Sequence, residues 1–363
     1  MKFSLCGLGT ATPPHSVAQA DAVLAAQTFC CSTDQERQWL KLVYLRSGID
    51  RRYSVLLENG AAGIEGRQSF YPPQQGPADR GPTTAMRMQR YEAEAPLLAR
   101  HASDRALADA GWPAASITHL VTVSCSGFAS PGFDFSLIRD LGLRPDVSRT
   151  HIGFMGCHGA LIGLRTASMF ARAEPDSRVL LCAVELCTLH QQYGFHQERI
   201  VANGLFADGA AAVAGQVMPR FHPDWGILRH ETLVLPNSEE CMGWRIGDHG
   251  FEMKLTPEVP VQIAQSLGGW LDRWLAKAGV RRDAIATWAV HPGGPRVLTA
   301  TREALALPEQ ALAVSHETLR DYGNMSSPTI LFILEKLRRQ QAPLPCMALA
   351  FGPGLSMEAA LIV

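Results

Sequence analysis

Charge is what this sequence has least of. Of its 363 residues 18% are Asp, Glu, Lys or Arg, against about a quarter in ordinary soluble domains, while 47% are apolar. The shortage points to a large core and to a subunit interface that takes further surface out of water. Neither sign is in excess. With 33 basic and 34 acidic side chains the net charge is -1, so no global field draws the chain to nucleic acid or an anionic membrane. No run reaches the roughly 18 apolar residues of a spanning helix, which argues against membrane insertion. The apolar stretch at Met1–Gly9 is too short for a secretion signal. The nine cysteines are odd in number, irregular in spacing and never in a C-x-x-C. A disulfide framework or metal cluster is therefore not expected, and a reducing cytoplasm is.

The length suits two domains or one large fold of two halves. Phe3–Leu8 reads as a strand, Gln19–Tyr44 as mainly helical, Ser54–Thr84 as a long surface loop rich in Gly, Pro and Gln, and Met86–Ala110 as a long helix stopped by Gly111. Ile117–Val123 and Arg178–Glu185 have the composition of buried strands. Phe221–Trp225 looks like a junction. Beyond it come a loop or hairpin over Thr232–Gly250, a helix at Val259–Ala278, a strand at Ala286–Val290, a helix at Pro328–Arg339 and two closing strands within Cys346–Val363. Alternating strands and helices in both parts predict parallel or mixed α/β sheets and suggest an internal duplication.

The stretch His151–Arg172 organises the rest. Apolar Ile152–Met155 ends at Gly156, and a helical pattern then places Leu161, Leu164, Ala167, Ser168 and Ala171 on one face. Cys157 thus falls at a strand-to-helix turn, where unpaired N–H groups and the helix dipole should lower a thiol pKa. A lone cysteine is equally often structural. Two more turns bear reactive groups: His291-Pro-Gly-Gly-Pro295 after a buried strand, and Gly323-Asn-Met-Ser-Ser-Pro328 before a helix, where Ser326 and Ser327 could cap. Each alone reads as a satisfied loop residue. Together Cys157, His291 and Asn324 supply what acyl transfer needs, a thiolate, a partner for its charge and two donors for an oxyanion.

The chain resembles the type III polyketide synthases, the chalcone-synthase-like branch of the thiolase fold. The resemblance rests on Gly9-Thr-Ala-Thr-Pro-Pro14, Ile117-Thr-His-Leu, Ser126-Gly127, Pro131-Gly132, Leu141-Gly-Leu-Arg-Pro145, Gly156-Cys157 and Phe206-Ala-Asp-Gly. It also rests on His291-Pro-Gly-Gly-Pro, Tyr322-Gly-Asn-Met-Ser-Ser and Phe351-Gly-Pro-Gly-Leu. It implies an α/β thiolase-like fold of two similar βαβ halves in five α-β-α-β-α layers, residues 1–222 carrying the nucleophile and 223–363 the His and Asn. It implies an acyltransferase that extends an acyl-CoA starter with malonyl-CoA on Cys157, His291 and Asn324 activating the malonyl thioester, followed by cyclisation to a pyrone, resorcinol or similar aromatic. Coenzyme A thioesters are then the substrates, with no metal and no bound cofactor.

The same resemblance places Phe206 and Met253 at the mouth of the site, Met253 standing where the family has an aromatic. Cys125, Ser126, Cys187, His190, Met242, Trp244 and Ser326 carry over to the pocket lining. Cys187 and Trp244 are similar to bacterial members that make alkylpyrones or alkylresorcinols, and the bulky Trp should redirect the cavity. Ser130 falls where the family reaches into the partner's cavity, which implies a homodimer. Of the family's basic residues for coenzyme A only Arg46 matches, with Lys41 nearby and Trp39 and Leu42 at two other positions. Open alternatives are an initiating ketoacyl synthase that uses a carrier protein, a Cys–His–Asn acyl-CoA hydrolase, and a non-catalytic relative.

Overall fold

A computed structural model describes every residue except 62, 65 and 224; the first two fall in the expected long loop and the third in the expected junction, outside the described residues. In chain order the first part runs β1 (Lys2–Ala11), β2 (Ser16–Ala18), α1 (Gln19–Cys30), α2 (Asp34–Leu45), β3 (Arg51–Tyr53), α3 (Thr84–Ala110), β4 (His119–Ser124), α4 (Phe133–Leu141), β5 (Ser148–Gly153), α5 (Gly159–Ala173), β6 (Val179–Leu186), α6 (Gln197–Leu205) and β7 (Asp208–Met218). The second runs β8 (Gly226–Val234), β9 (Met242–Gly247), β10 (Gly250–Leu255), α7 (Glu258–Lys277), β11 (Thr287–Val290), α8 (Pro295–Ala304), α9 (Ala313–Tyr322), α10 (Pro328–Arg339), β12 (Cys346–Gly352) and β13 (Ser356–Ile362).

Nine strands form one sheet in the order β11-β12-β13-β8-β1-β7-β6-β4-β5. It is two copies of one pattern. In the first, β1 is antiparallel to β7, β7 antiparallel to β6, and β6 parallel to β4. In the second, β8, β13, β12 and β11 repeat that order and those directions. The copies meet where β1 pairs with its counterpart β8 over only Phe3↔Ile227 and Ser4↔Gly226. The duplication suspected from the sequence is therefore present. Cys157, which precedes α5, corresponds to Asn324, which precedes α10. His291, at the end of β11, corresponds to Cys125 at the end of β4. Among the described residues strand β5 has no second-half counterpart.

Strand alternation sets the layers. Val179, Leu181 and Ala183 of β6 and Cys346, Ala348 and Ala350 of β12 face one shared core with Leu161 and Leu164 of α5 and Ile330, Leu331 and Leu334 of α10. Their neighbours Leu180, Cys182 and Val184 face the α3 side, and Met347, Leu349 and Phe351 face the α7 and α8 side. Helices thus lie outside, between and outside again, the five-layer arrangement. Helix α10 explains its own position: Ile330, Leu331, Ile333 and Leu334 are all fully buried, apolar on nearly every face, as a helix between two sheet surfaces must be.

Three local expectations change. The helix over Gln19–Tyr44 is two, because Thr33 ends the turn after Cys30 and starts α2 with a capping box to Glu36. The stretch after Ser54 is not merely surface: Val55, Leu56, Leu57, Arg67 and Tyr71 are buried against the first half. The loop or hairpin placed at Thr232–Gly250 is the end of β8 followed by the β9–β10 hairpin, which runs to Leu255. Helix α4 and the length of β5 were not foreseen.

Candidate active site

Cys157 sits in a single 3-10 turn, Gly156–His158, that leads into α5. Gly156 makes the turn possible. Its φ is 64°, and a Cβ there would stand 2.8 Å from Pro353 Cδ. Phe154, φ 62°, and Ser326, φ 57°, hold strained backbone on either side of the site. Cys157 is 5% exposed. The Ser326 and Asn324 side chains and the turn's own N–H act to lower its pKa, as the sequence suggested. Burial wins: it pushes the thiol up to about 11, and the Glu185 carboxyl adds to the rise. The expected standing thiolate is thus corrected. In a dry pocket the helix N-terminus does not replace lost water.

His291 follows β11 and is 1% exposed. Its N–H continues the ladder to Leu349 O at 2.8 Å, and its carbonyl accepts from Gly293 N at 3.1 Å, so its backbone is fixed. Both ring nitrogens are buried, and among the described residues neither has a partner. Burial, with His158 adding to it, pulls the imidazole down to about 3, so it is neutral and able to accept a proton. Asn324 is held by Leu205 O and Ala207 N on its backbone. Its side-chain oxygen accepts from Ser326 N at 2.8 Å, which leaves the NH2 as the end free to donate, one bond reaching Gly293 O at 3.4 Å. Ser326 and Ser327 do not cap α10 as expected. Ser327 donates to Glu185 instead.

Cys157, His291 and Asn324 line one narrow cavity with Phe206, Met242, Met253, Leu255 and Val297. A second chamber shares Cys157, Phe206, Met242 and Met253 and adds Cys125, Cys187, Trp244 and Ser326. A third shares Cys187, Phe206, Trp244 and Met253 and runs past His190 to Gln191 and Arg199. The structure thus brings together most of the residues singled out. Trp244 stands between chambers, its indole N–H donating to Cys125 O at 2.8 Å. His190 lines the third chamber with no polar atom to spare: Nε2 donates to Ser126 O at 2.7 Å and Nδ1 accepts from Phe251 N at 2.9 Å. Ser126 is not on the wall. It is fully buried behind it, its hydroxyl donating to Glu185. Lys41 on α2 and Arg46 just after it are exposed and line none of these chambers; Trp39 packs edge-on against Phe195. Ser130 is exposed.

Sequence reasoning missed Glu185. Wholly buried at the end of β6, it accepts from Cys125 N and Ser126 N at 3.0 Å, Ser126 Oγ at 2.6 Å and Ser327 Oγ at 2.8 Å. It therefore ties the end of β4 to the start of α10, the two elements that flank Cys157. Burial raises its pKa, while these donors oppose the rise. A lone carboxylate ending the apolar run Val179–Leu186 was the available signal, since such a group must find donors.

A buried thiol, a neutral imidazole with free nitrogens and an amide donor around one apolar cavity can carry out acyl transfer. The imidazole takes the thiol proton as sulfur attacks, and two donors remain for an oxyanion. The described residues hold no cluster of His, Cys, Asp and Glu suited to a metal ion, and no described helix is long and apolar enough to cross a membrane.

Comparison with known proteins gives the same reading. The profile of the chalcone and stilbene synthases matches with its N-terminal domain over residues 2–217 and its C-terminal domain over residues 228–363. The chain is 34% identical to 1,3,6,8-tetrahydroxynaphthalene synthase of Streptomyces peucetius, over 99% of this chain and 92% of that protein. It is 32% identical to the alpha-pyrone synthesis polyketide synthase-like Pks18 of Mycobacterium tuberculosis, over 98% and 89%. The crystal structure of PKS-I from the brown alga Ectocarpus siliculosus superimposes with a TM-score of 0.92 at 29% identity, over 99% of this chain and 98% of that one.

Proposed function

We infer the reaction from one premise: the chain belongs to the chalcone and stilbene synthase family, the type III polyketide synthases, condensing acyltransferases that use coenzyme A thioesters. Cys157 is the nucleophile. As its sulfur adds to the starter thioester, the proton passes to His291, and coenzyme A leaves with that proton. In the second half-reaction the malonyl thioester oxygen lies between His291 and the Asn324 amide. Loss of CO2 leaves an enolate whose charge falls on that oxygen, where the donors oppose it in a site shielded from water. The enolate carbon attacks the acyl–Cys157 carbonyl, and the sulfur leaves as the new carbon–carbon bond forms. Repetition and ring closure yield a pyrone, resorcinol or similar product. Phe206 and Met253 flank the acyl group; Cys125, Cys187, Met242, Trp244 and Ser326 bound the space for the growing chain.

One observation supports this most directly: His291 has both ring nitrogens buried and unpartnered in the cavity that Cys157 and Asn324 line. Buried polar atoms without partners are rare, and a thioester oxygen or a thiol proton would satisfy them. Mass spectrometry of products from malonyl-CoA with short, long and aromatic acyl-CoA starters, and no carrier protein, tests the reading. Pyrones or resorcinols are expected. Free acid alone would mean a hydrolase, and activity only with carrier-protein thioesters an initiating ketoacyl synthase.

Further parts of the reading concern the assembly. Arg46, with Lys41, meets coenzyme A phosphates at the mouth of the site. The halves divide at residues 222 and 223, between β7 and β8. The protein is a cytoplasmic homodimer, an arrangement favoured by β5, an edge strand with no fully buried residue, beside Phe135, Phe154 and Met155, all exposed. An open edge rimmed by large apolar groups is unstable unless covered. Ser130 lies in this region, and sedimentation at micromolar concentration reads the stoichiometry.

A further inference from the structure

Among the described residues Arg87, on α3, is the largest fully buried side chain, and no carboxylate pairs with it. Its contacts are carbonyls and a phenol. Nε donates to Pro82 O at 2.9 Å; Nη1 reaches Leu189 O at 2.5 Å, Gln191 O at 3.0 Å and Tyr71 OH at 3.0 Å. Nη2 is buried without a partner. Tyr71, whose ring lies 5.4 Å from the guanidinium, donates in turn to Thr188 O at 2.9 Å. Gly250, at the start of β10, comes so close that a Cβ there would stand 2.9 Å from the guanidinium carbon.

All these acceptors belong to loops that frame the site from behind. Leu189 and Gln191 flank His190, which bridges Ser126 and Phe251; Thr188, His190 and Gln191 line the third chamber. A guanidinium offers five N–H groups in a rigid fork, and such a fork can hold several carbonyls at once where an ammonium cannot. An apolar side chain could fill the volume, but would leave the carbonyls of Pro82, Leu189 and Gln191 without donors. The Cys157 cavity does not touch this clamp.

We propose that Arg87 is a positioning residue for chain growth: by clamping the turn that carries Leu189 and Gln191 to α3, and by packing against Gly250 of the hairpin, it sets the third chamber's shape, and so how far the polyketide is extended before release. The proposal rests on the polyketide reading above. It separates two functions that share one sulfur. Acyl loading and malonyl decarboxylation use the Cys157 cavity; extension also needs the wall.

The test compares Arg87→Lys and Tyr71→Phe with the wild type in the full-length protein. Two quantities are read: acyl loading of Cys157 by mass, and the ratio of fully extended to short, early-released products from malonyl-CoA. In Arg87→Lys loading stays within about twofold, while that ratio shifts about tenfold toward short products, since displacement of a positioning wall by an ångström costs up to about 10²-fold. Tyr71→Phe keeps the charge, loses the phenol's two bonds, to Arg87 and to Thr188 O, and shifts the ratio in the same direction by less. An unchanged ratio in folded variants overturns the proposal, as does a fall in loading and extension in parallel, the mark of a merely structural role. If Arg87→Lys does not fold, the ratio in Tyr71→Phe decides. A wild type that makes no polyketide at all removes the functional reading and this proposal with it; wild-type product with an indifferent Tyr71→Phe removes the proposal alone.

Discussion

Removing the imidazole of His291 should expose how much of the reactivity of Cys157 is borrowed. Burial holds the thiol at about 11. Left to itself at pH 7 it would be ionised in about one molecule in 10⁴, because each unit between pH and pKa is a factor of ten. In the wild type the neutral imidazole takes the proton as sulfur attacks, so no standing ion pair is needed, and general-base assistance of this kind is worth about 10²–10⁴-fold. His291→Ala should therefore slow alkylation of Cys157 at pH 7 by about 10³-fold. Its rate should then climb about tenfold per pH unit from 7 to 10, as a raised thiol pKa with no internal base requires. Pulse labelling with iodoacetamide and peptide mass spectrometry measures both, with the half-buried Cys241 as an internal reference. Labelling of Cys157 in His291→Ala within threefold of the wild type at pH 7, with a flat profile to pH 8, would refute the reasoning.

Asn324→Ala keeps Cys157 and His291, so starter loading should persist while malonyl-CoA decarboxylation falls by about 10²–10³-fold, the usual loss of one oxyanion donor; acyl-enzyme mass and CO2 release read the two steps. Arg46→Ala should raise KM for malonyl-CoA with kcat unchanged, and the difference should shrink in high salt; equal KM at low salt would dismiss the phosphate contact. Ile330→Ala, in the middle helix layer and fully buried, should cost about 2–5 kcal/mol in urea unfolding, because neither sheet can collapse into the gap. His158, 3% exposed, is pulled down to about 4 by burial and by Arg165. It stays neutral in the fold while the unfolded chain binds a proton below about 6.5, so its contribution to stability is present above pH 6.5 and is lost on acidification toward 4. Between those limits the wild type should lose about 1.4 kcal/mol per pH unit more than His158→Gln; parallel curves would show that His158 does not titrate this way.

The elements legible in the sequence were those whose pattern had one solution. Leu161, Leu164, Ala167, Ser168 and Ala171 all proved buried on α5, and Cys346–Val363 proved to be two strands around a turn. The three turns bearing Cys157, His291 and Asn324 could be picked out because Gly and Pro mark a backbone that must bend beside a reactive group. What could not be read was anything set by a distant neighbour. No local pattern shows that His190 spends both nitrogens on Ser126 and Phe251, that Ser126 turns away from the cavity to Glu185, or that Ser327 prefers that carboxylate to its own helix.

Most of the order of strands and helices, and the three turns that carry Cys157, His291 and Asn324, were thus legible in the sequence alone, since periodicity, turn chemistry and side-chain type are local properties. The protonation of Cys157 and the walls of the chambers were decided only by the tertiary structure. The helix turn argues for a thiolate, but the tertiary fold takes water from the sulfur and sets Glu185 beside it, and that removal of solvent outweighs the dipole. The chamber walls meet through residues as far apart in the chain as Arg87, Cys125, Gln191 and Trp244, and only packing brings them together.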